Sequence, residues 1–256
     1  EAIDYISRNR DKPFFLYLAH NMPHIPLGAS ENFKGKSEYG PYGDAIEEID
    51  WSTGQLLRTL KELGIDNNTL VIYASDNGPW IESYIPREHS GTADPLRGWK
   101  MTTWEGGPRV PFIARWPGKL EGNRVSDEIL STLDLLPTVA SLATAELPKD
   151  RIIDVYDARV FLLGETEKSP REVYLYYDAC LLTGIRENQW KLVLPRPEHP
   201  DGTGWWGRMI EEVKTIQLYN MDNDPGESTN LADQYPDVVA HLMQQIEVAR
   251  DELGDI

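Results

Sequence analysis

Two short apolar runs on either side of a long amphipathic stretch constrain the fold of the first half of this chain. Residues 14–19 (FFLYLA) and 69–75 (TLVIYAS) have the length and the aromatic or β-branched character of strands buried on both faces. Between them, residues 44–63 repeat apolar side chains at helical spacing, and Gly64 ends the pattern. A third strand is predicted at 110–116, and further helices at 2–9 and 126–143. The sequence therefore predicts an α/β fold for this half.

The second half has the pattern of a small antiparallel sheet. Strand-like runs follow closely upon one another at 173–178, 181–186, 189–194 and 215–220, and Glu187-Asn188 fits a tight turn. A final helix is predicted at 238–253. The polar, charged stretch at 164–170 separates the two halves. We therefore expect one domain at residues 1–168 and a smaller one, a sheet with a packed helix, at 169–256.

Charge and composition exclude several classes of protein. The 42 acidic residues outnumber the 25 lysines and arginines and give a net charge of −17, which disfavours binding to a nucleic-acid backbone. Nine of the acids, against Arg250 alone, lie in residues 221–256, so much of this charge belongs to a solvated C-terminal surface. The longest apolar run has six residues, whereas a membrane-spanning helix needs about 20. The single cysteine, Cys180, excludes an intrachain disulfide and a cysteine-rich zinc site.

Polar clusters follow both of the predicted buried strands, where the functional loops of α/β sheets lie. The first strand leads into His20-Asn21-Met22-Pro23-His24, and the second leads into Asp76-Asn77-Gly78-Pro79. The neighbouring side-chain oxygens of Asp76 and Asn77 suit a hard cation such as Ca²⁺ or Mg²⁺. The same four residues are also ordinary turn chemistry, so this cluster alone leaves both interpretations open.

A third cluster lies just before the predicted strand at 110–116. Residues 96–107 (LRGWKMTTWEGG) place Lys100 among glycines and aromatic residues. An ammonium group that is partly shielded from water there would pair strongly with an oxyanion, although most lysines simply lie on the surface. Together, the three clusters supply a histidine, a pair of oxygen donors and a lysine. This combination predicts a site for an anionic ester.

Several segments resemble, in order, the second half of the formylglycine-dependent sulfatases. They are PFFLYLAHNMPHIPL, NTLVIYASDNGP, LRGWKMTTWEGGPRVPFIARWPG, STLDLLPTVASLA, LTGIRENQWKLVL and LYNMDNDPGESTNLAD, and they cover essentially the whole chain. The resemblance implies the C-terminal portion of an alkaline-phosphatase-like α/β fold and the hydrolysis of sulfuric esters. It also implies a sulfated small molecule or carbohydrate as substrate and, by analogy alone, a periplasmic, secreted or lysosome-like location.

The resemblance carries roles onto individual residues. Asp76 and Asn77 match part of the family's calcium site, for which Mg²⁺ is a possible substitute. Lys100 matches the lysine that contacts the substrate sulfate, and His24 matches the histidine that contacts both the sulfate and the leaving oxygen. His24 is either a general acid or a hydrogen-bond donor.

Further residues are assigned to selectivity or to loop shape. Substrate selectivity is expected in the loop at 79–98, which contains Trp80, Tyr84 and Arg87. His89, in the same loop, is a further substrate-binding candidate. A group of residues that follows Lys100 is expected to shape its loop, namely Glu105, Gly106, Gly107 and Arg109.

The family's nucleophile, a formylglycine made within a C-x-P-S-R motif, has no counterpart in these residues. Cys180 has no following proline or arginine and is expected to pack, and Ser169-Pro170-Arg171 lacks the residues that precede it in the motif. Formylglycine and the remaining metal-binding aspartates are expected in a segment before residue 1, so the isolated chain is expected to be inactive. The alternatives are a phospho- or phosphonate-ester hydrolase of the same superfamily and a non-catalytic binding module.

Overall fold

The computed structural model describes residues 1–80, 86, 89–151 and 153–254, without the side chain of Trp206. The chain forms two compact units. The first comprises residues 1–73, 80–92 and 112–123, and the second comprises residues 74–79, 93–111 and 124–256. The division into domains at 1–168 and 169–256 stays a prediction.

The first unit is built around two helices. Helix α1 (Ala2–Asn9) packs against helix α2 (Gly40–Glu62), and both contribute buried apolar side chains, among them Ile6, Ile49 and Leu60. Gly64 follows α2 with a φ of 71°, a left-handed conformation that glycine adopts without steric cost and that ends the helix. The predictions of helices at 2–9 and 44–63 are confirmed.

A two-stranded sheet is formed by β1 (Val71–Ala74) and β2 (Phe112–Arg115). Arg115 at the end of β2 donates two hydrogen bonds, of 2.6 and 2.8 Å, to the carboxylate of Asp66 in the turn before β1. The runs at 69–75 and 110–116 therefore do form strands, but shorter ones than predicted, and their side chains are mostly half-buried.

The buried strand predicted at 14–19 was wrong. Residues 13–20 have no regular secondary structure, and the side chains of Phe15 and Tyr17 are 67% and 80% exposed. A buried strand needs a hydrogen-bonded neighbour as well as apolar cover on both faces. No strand in the described part of the chain pairs with this segment. The apolar pattern indicates what a segment can bury and does not supply the partner.

The helix predicted at 126–143 begins nine residues later, at α3 (Leu135–Leu142). A single 3-10 turn (Thr132–Asp134) precedes it and is closed by a capping box. In that box Ser131 Oγ accepts the Leu133 N–H at 3.2 Å, and Asp134 Oδ2 accepts the Ser131 N–H at 3.0 Å. Pro137 lies in the first turn of α3, where a missing N–H costs no helical hydrogen bond.

A buried ion pair ties the start of α3 to the start of the second-unit sheet. Arg171 donates two hydrogen bonds, both of 2.8 Å, to the carboxylate of Asp134, and the two side chains are 3% and 0% exposed. The same carboxylate accepts the Tyr156 N–H at 2.9 Å, and the guanidinium stacks 4.7 Å from the Tyr156 ring centre. Burial lowers the pKa of Arg171, but its contacts with Asp134 outweigh burial and raise it. The Arg171 of the Ser-Pro-Arg triplet is thus structural.

The second unit contains the predicted antiparallel sheet with its packed helix. Strands β3 (Val173–Asp178), β4 (Leu181–Glu187), β5 (Trp190–Val193) and β6 (Gln217–Asn220) pair in that order, all antiparallel. Leu192 on β5 lies opposite Ile185 on β4 and Leu218 on β6. One core cluster combines apolar side chains of the sheet with Leu242, Ile246 and Ala249 of helix α5 (Pro236–Leu253). A short helix α4 (Arg159–Leu162) precedes the sheet.

No helix within the described ranges is both long enough and apolar enough to cross a membrane.

Candidate functional site

The second unit brings two of the predicted clusters together. These are the Asp76-Asn77 segment (residues 74–79) and the Lys100 loop (residues 96–107). Gly78 donates its N–H to the Gly107 carbonyl at 2.7 Å, and Lys100 donates its N–H to the Pro79 carbonyl at 2.8 Å. The paired oxygen donors and the lysine therefore belong to segments that are hydrogen-bonded along their backbones.

Glycines permit this close approach of two backbones. A Cβ atom placed on Gly78 would collide with the carbonyl oxygen of Gly106, and one placed on Gly106 would collide with the carbonyl oxygens of Arg97 and Gly98. Only a residue without a side chain fits at either position. The D-N-G and E-G-G patterns of the sequence are thus two halves of one backbone contact.

Asp76 and Asn77 present the kind of donors that a hard cation takes. Asp76 is exposed and Asn77 is half-buried. Asn77 Nδ2 donates to the Gly78 carbonyl at 2.9 Å, which leaves Oδ1 to act as a ligand. Two oxygens fit part of a calcium site, because calcium takes six to eight. Within the described residues no cluster of three or more His, Cys, Asp or Glu could complete it.

The backbone of the Lys100 loop is held in an unusual conformation. Gly98 has a φ of 80°, and Met101, directly after Lys100, has a φ of 79°, which non-glycine residues rarely adopt. Thr102 Oγ1 donates to the Trp99 carbonyl at 2.8 Å and accepts the Trp99 N–H at 3.1 Å, closing a tight turn around Lys100. Lys100 is half-buried.

Glu105, five residues after Lys100, is the centre of a buried charge network. Its carboxylate accepts hydrogen bonds from Tyr176 Oη at 2.5 Å, Arg186 Nη1 at 3.1 Å and Lys191 Nζ at 3.2 Å. Burial raises the pKa of Glu105, but the charges of Lys191 and Arg186 outweigh burial and hold the pKa below its usual value. Glu105 is thus an anion that fixes the loop, which is the role predicted for it.

Lys191 and Glu227 complete this network. Lys191 Nζ lies 2.7 Å from Glu227 Oε1 and donates to the Thr103 carbonyl at 2.8 Å. Glu227 Oε2 accepts the N–H of Glu105 at 2.7 Å, and burial raises the Glu227 pKa although Lys191 opposes this. Lys191, Glu105 and Glu227 are each 1% exposed. The Lys100 loop is therefore fastened to the sheet and to the segment after β6 by paired, desolvated charges.

His24 and His89 belong to the first unit, so their predicted substrate contacts stay predictions. His24 is exposed, and its Nδ1 lies 2.7 Å from the carbonyl oxygen of Ile25. A carbonyl only accepts, so Nδ1 carries the proton and Nε2 is left for a ligand. His89 is half-buried, and its N–H donates to the Pro86 carbonyl at 2.8 Å.

Of the other residues expected in the selectivity loop, Trp80 is half-buried, and its buried Nε1 has no hydrogen-bond partner in the described part of the chain. Tyr84 and Arg87 lie outside the described residues. The prediction that Cys180 packs was wrong: the thiol is exposed, because the residue falls in the turn between β3 and β4.

Two family models match the chain. The model described as Sulfatase matches residues 1–145, and the one described as N-sulphoglucosamine sulphohydrolase, C-terminal, matches residues 98–252. The chain belongs to the sulfatase family. The likeness agrees with the site, because the first match contains Asp76, Asn77 and Lys100, and the second contains the buried charge network.

Relatives of known name and structure agree with this assignment. The chain is 45% identical to the steryl-sulfatase of Rattus norvegicus over 72% of its own length and 32% of that protein. It is 33% identical to an N-acetylgalactosamine-6-O-sulfatase of Bacteroides thetaiotaomicron over 96% of its own length and 49% of that protein. A sulfatase structure from Pseudoalteromonas sp. matches all of the chain and 52% of that protein, with 28% identity and a TM-score of 0.85. The expected alkaline-phosphatase-like fold is confirmed, and the chain spans about half or less of these relatives' length.

Proposed function

We propose that the intact protein hydrolyses sulfuric esters, with Lys100 binding the sulfate and a calcium ion held in part by Asp76 and Asn77. The observation that carries the proposal is the backbone contact between the Asp76-Asn77 segment and the Lys100 loop. We place the formylglycine nucleophile and the remaining calcium ligands in a segment before residue 1. A sulfated carbohydrate is the favoured substrate, supported by the N-acetylgalactosamine-6-O-sulfatase among the relatives.

The residues present would act mainly through charge. Cleavage of an S–O bond builds negative charge on the sulfate and on the departing oxygen, and a fixed cation lowers that barrier without reorganising. Lys100 supplies such a cation on a loop that buried ion pairs hold in place. Calcium, when bound, withdraws further charge from the sulfate oxygens. By the family resemblance alone, His24 with both ring nitrogens protonated would donate a hydrogen bond or a proton through Nε2 to the leaving oxygen.

Substitution of Lys100 by alanine tests the proposed sulfate contact. We expect kcat/KM for an aryl sulfate, measured on the intact protein, to fall by about 100- to 1,000-fold, the usual cost of removing one preorganised charge-stabilising donor. The matched control is Lys214→Ala, because the Lys214 side chain is 79% exposed. A loss below tenfold in Lys100→Ala, with an unchanged melting temperature, would remove Lys100 from the sulfate site.

The reaction class is tested by comparing matched esters. We expect the intact protein to hydrolyse an aryl sulfate with a higher kcat/KM than the corresponding aryl phosphate or phosphonate. The reverse preference would replace the sulfatase proposal with the ester hydrolase of the same superfamily. Turnover of neither ester would favour a non-catalytic binding module.

Calcium binding is tested through Asp76. In chelator-treated intact protein, Asp76→Ala is expected to raise the Ca²⁺ concentration for half-saturation by at least about tenfold, because one of few charged ligands is lost. Calorimetric titration with Ca²⁺ measures this without turnover. Asp127→Ala, at an exposed acid of the same unit, is the control. Equal Ca²⁺ affinity of wild type and Asp76→Ala would contradict the assignment.

A further inference from the structure

A cavity of about 320 Å³ lies in the second unit, beginning at the residue after Lys100. Its volume is at the lower end of the range of small-ligand sites. One wall belongs to the Lys100 loop and the other to the end of β3 and the turn after it. The lining residues are Met101, Thr102, Thr103, Tyr177, Asp178 and Ala179. The Lys100 loop therefore carries both the proposed sulfate contact and one wall of this cavity.

Asp178 is the acidic residue of this lining. It is half-buried, and its carboxylate accepts no hydrogen bond from any residue that the structure describes. Burial raises its pKa to about 6, although the charge of Arg196 opposes the shift. This carboxylate has lost part of its contact with water and has no donor among the described residues in exchange, so hydrogen-bond donors of a ligand would replace the lost water.

Arg196, which interacts with Asp178, is a second side chain with an unpaired polar atom among the described residues. The residue is 7% exposed, and its buried Nε has no hydrogen-bond partner in the described ranges. Its guanidinium interacts electrostatically with Asp178. Within the described ranges, a half-buried carboxylate without a protein donor thus interacts with a guanidinium whose buried Nε has no acceptor, and that Nε departs from the rule that buried polar groups are paired.

We propose that Asp178 is a specificity-determining residue that accepts hydrogen bonds from the hydroxyl groups of a sugar sulfate bound in this cavity. The inference rests on the proposed sulfatase function. A sugar carries several hydroxyl donors that replace the water lost by the carboxylate. An aryl or steryl group carries none near its ester and would bury the acid unpaired. Asp178 also repels the sulfate itself, so the sulfate is directed to Lys100 and the sugar to the cavity.

The test compares two substrates on the intact protein, N-acetylgalactosamine 6-sulfate and 4-nitrophenyl sulfate. For Asp178→Leu we expect kcat/KM for the sugar sulfate to fall by about 10- to 100-fold, the worth of hydrogen bonds to a charged acceptor. The value for the aryl sulfate should change by less than about threefold. Asp178→Asn keeps one acceptor oxygen and should fall between wild type and Asp178→Leu. Equal losses on both substrates, or no loss on the sugar sulfate, would overturn the proposal.

Stability provides the control for folding. The folded-state pKa of Asp178, about 6, lies above that of an unfolded aspartate, so its charge destabilises the fold above pH 6. This cost disappears as the pH falls below about 4. Asp178→Asn should therefore melt about 2–4 °C higher than wild type at pH 8 and no higher at pH 4. A loss of sugar-sulfate hydrolysis in a more stable variant cannot come from misfolding.

A direct binding measurement separates the two proposals. If the intact protein hydrolyses neither ester, the proposed function fails, and calorimetry with N-acetylgalactosamine 6-sulfate still decides the role of Asp178. Binding that is at least about tenfold weaker in Asp178→Leu supports the subsite. Equal binding, or none in the wild type, overturns it.

Discussion

Lys191→Met is expected to lower the free energy of unfolding by about 3–5 kcal/mol, the cost of leaving buried charges without their partner. Methionine has nearly the same length as lysine, so the cavity term is small. The loss comes from the carboxylates of Glu105 and Glu227, which lie 3.2 and 2.7 Å from Lys191 Nζ and would remain desolvated. Urea denaturation at pH 7.5 measures the change, and Lys214→Met, at an exposed lysine, should change stability by less than about 0.5 kcal/mol.

The pH dependence of this loss distinguishes charge from packing. Without Lys191 the folded-state pKa values of Glu105 and Glu227 rise, so both carboxylates take up protons as the pH falls. Protonation removes the unpaired charge, and the destabilisation should shrink between pH 7.5 and pH 5. Adding Glu227→Gln to Lys191→Met should likewise restore part of the stability at pH 7.5. A destabilisation that is the same at both pH values would point to packing instead.

Arg171→Met is expected to lower the free energy of unfolding by a similar amount, about 3–5 kcal/mol. The fully buried Asp134 would keep its two backbone hydrogen bonds, from Ser131 and Tyr156, but would lose both guanidinium contacts at 2.8 Å. The Asp134 carboxylate joins the start of α3 to the segment before α4 and to the residues before β3. The unpaired charge would therefore destabilise all three of these parts.

A matched pair of variants tests the geometry of this contact. Arg171→Lys keeps the positive charge but cannot form two parallel hydrogen bonds, so its loss in denaturant unfolding should fall between wild type and Arg171→Met. Arg151→Met removes an ion pair whose side chains are 66% and 68% exposed and should therefore change stability far less than Arg171→Met does. Equal stability of Arg171→Lys and wild type would show that charge alone holds Asp134.

The elements that could be predicted from the sequence are those whose cause is local. The sheet of the second unit and helix α5 follow from alternating and helical apolar patterns that lie within a few residues of one another, as at Leu192 and Leu242. The strand expected at 14–19 failed because a strand depends on a partner, which its own residues do not encode. The late start of α3 depends on the capping box at Ser131, a signal outside the apolar pattern.

The candidate site divides in the same way. The segments that carry Asp76, Asn77 and Lys100 could be found because each cluster is contiguous and marked by glycines. The structure adds that the Asp76-Asn77 segment and the Lys100 loop are hydrogen-bonded to each other. Lys191 and Glu227 could not be found, because their partner Glu105 lies 86 and 122 residues away in the sequence. Lys191, a lysine within an otherwise apolar strand, was the one local hint. Asp178 has no comparable signal in the sequence of its own strand.

The hydrogen bond between Glu105 and Glu227 also has a temporal consequence. A ribosome that adds about 5–20 residues per second needs roughly 6–25 s to extend the chain across the 122 positions that separate them. During that interval the newly made Lys100 loop lacks Lys191 and Glu227, two of the charged residues that Glu105 contacts. It also lacks the sheet that carries Lys191. The Lys100 loop is therefore set in place as a late event of biosynthesis, and partly made chains would carry its sequence without its conformation.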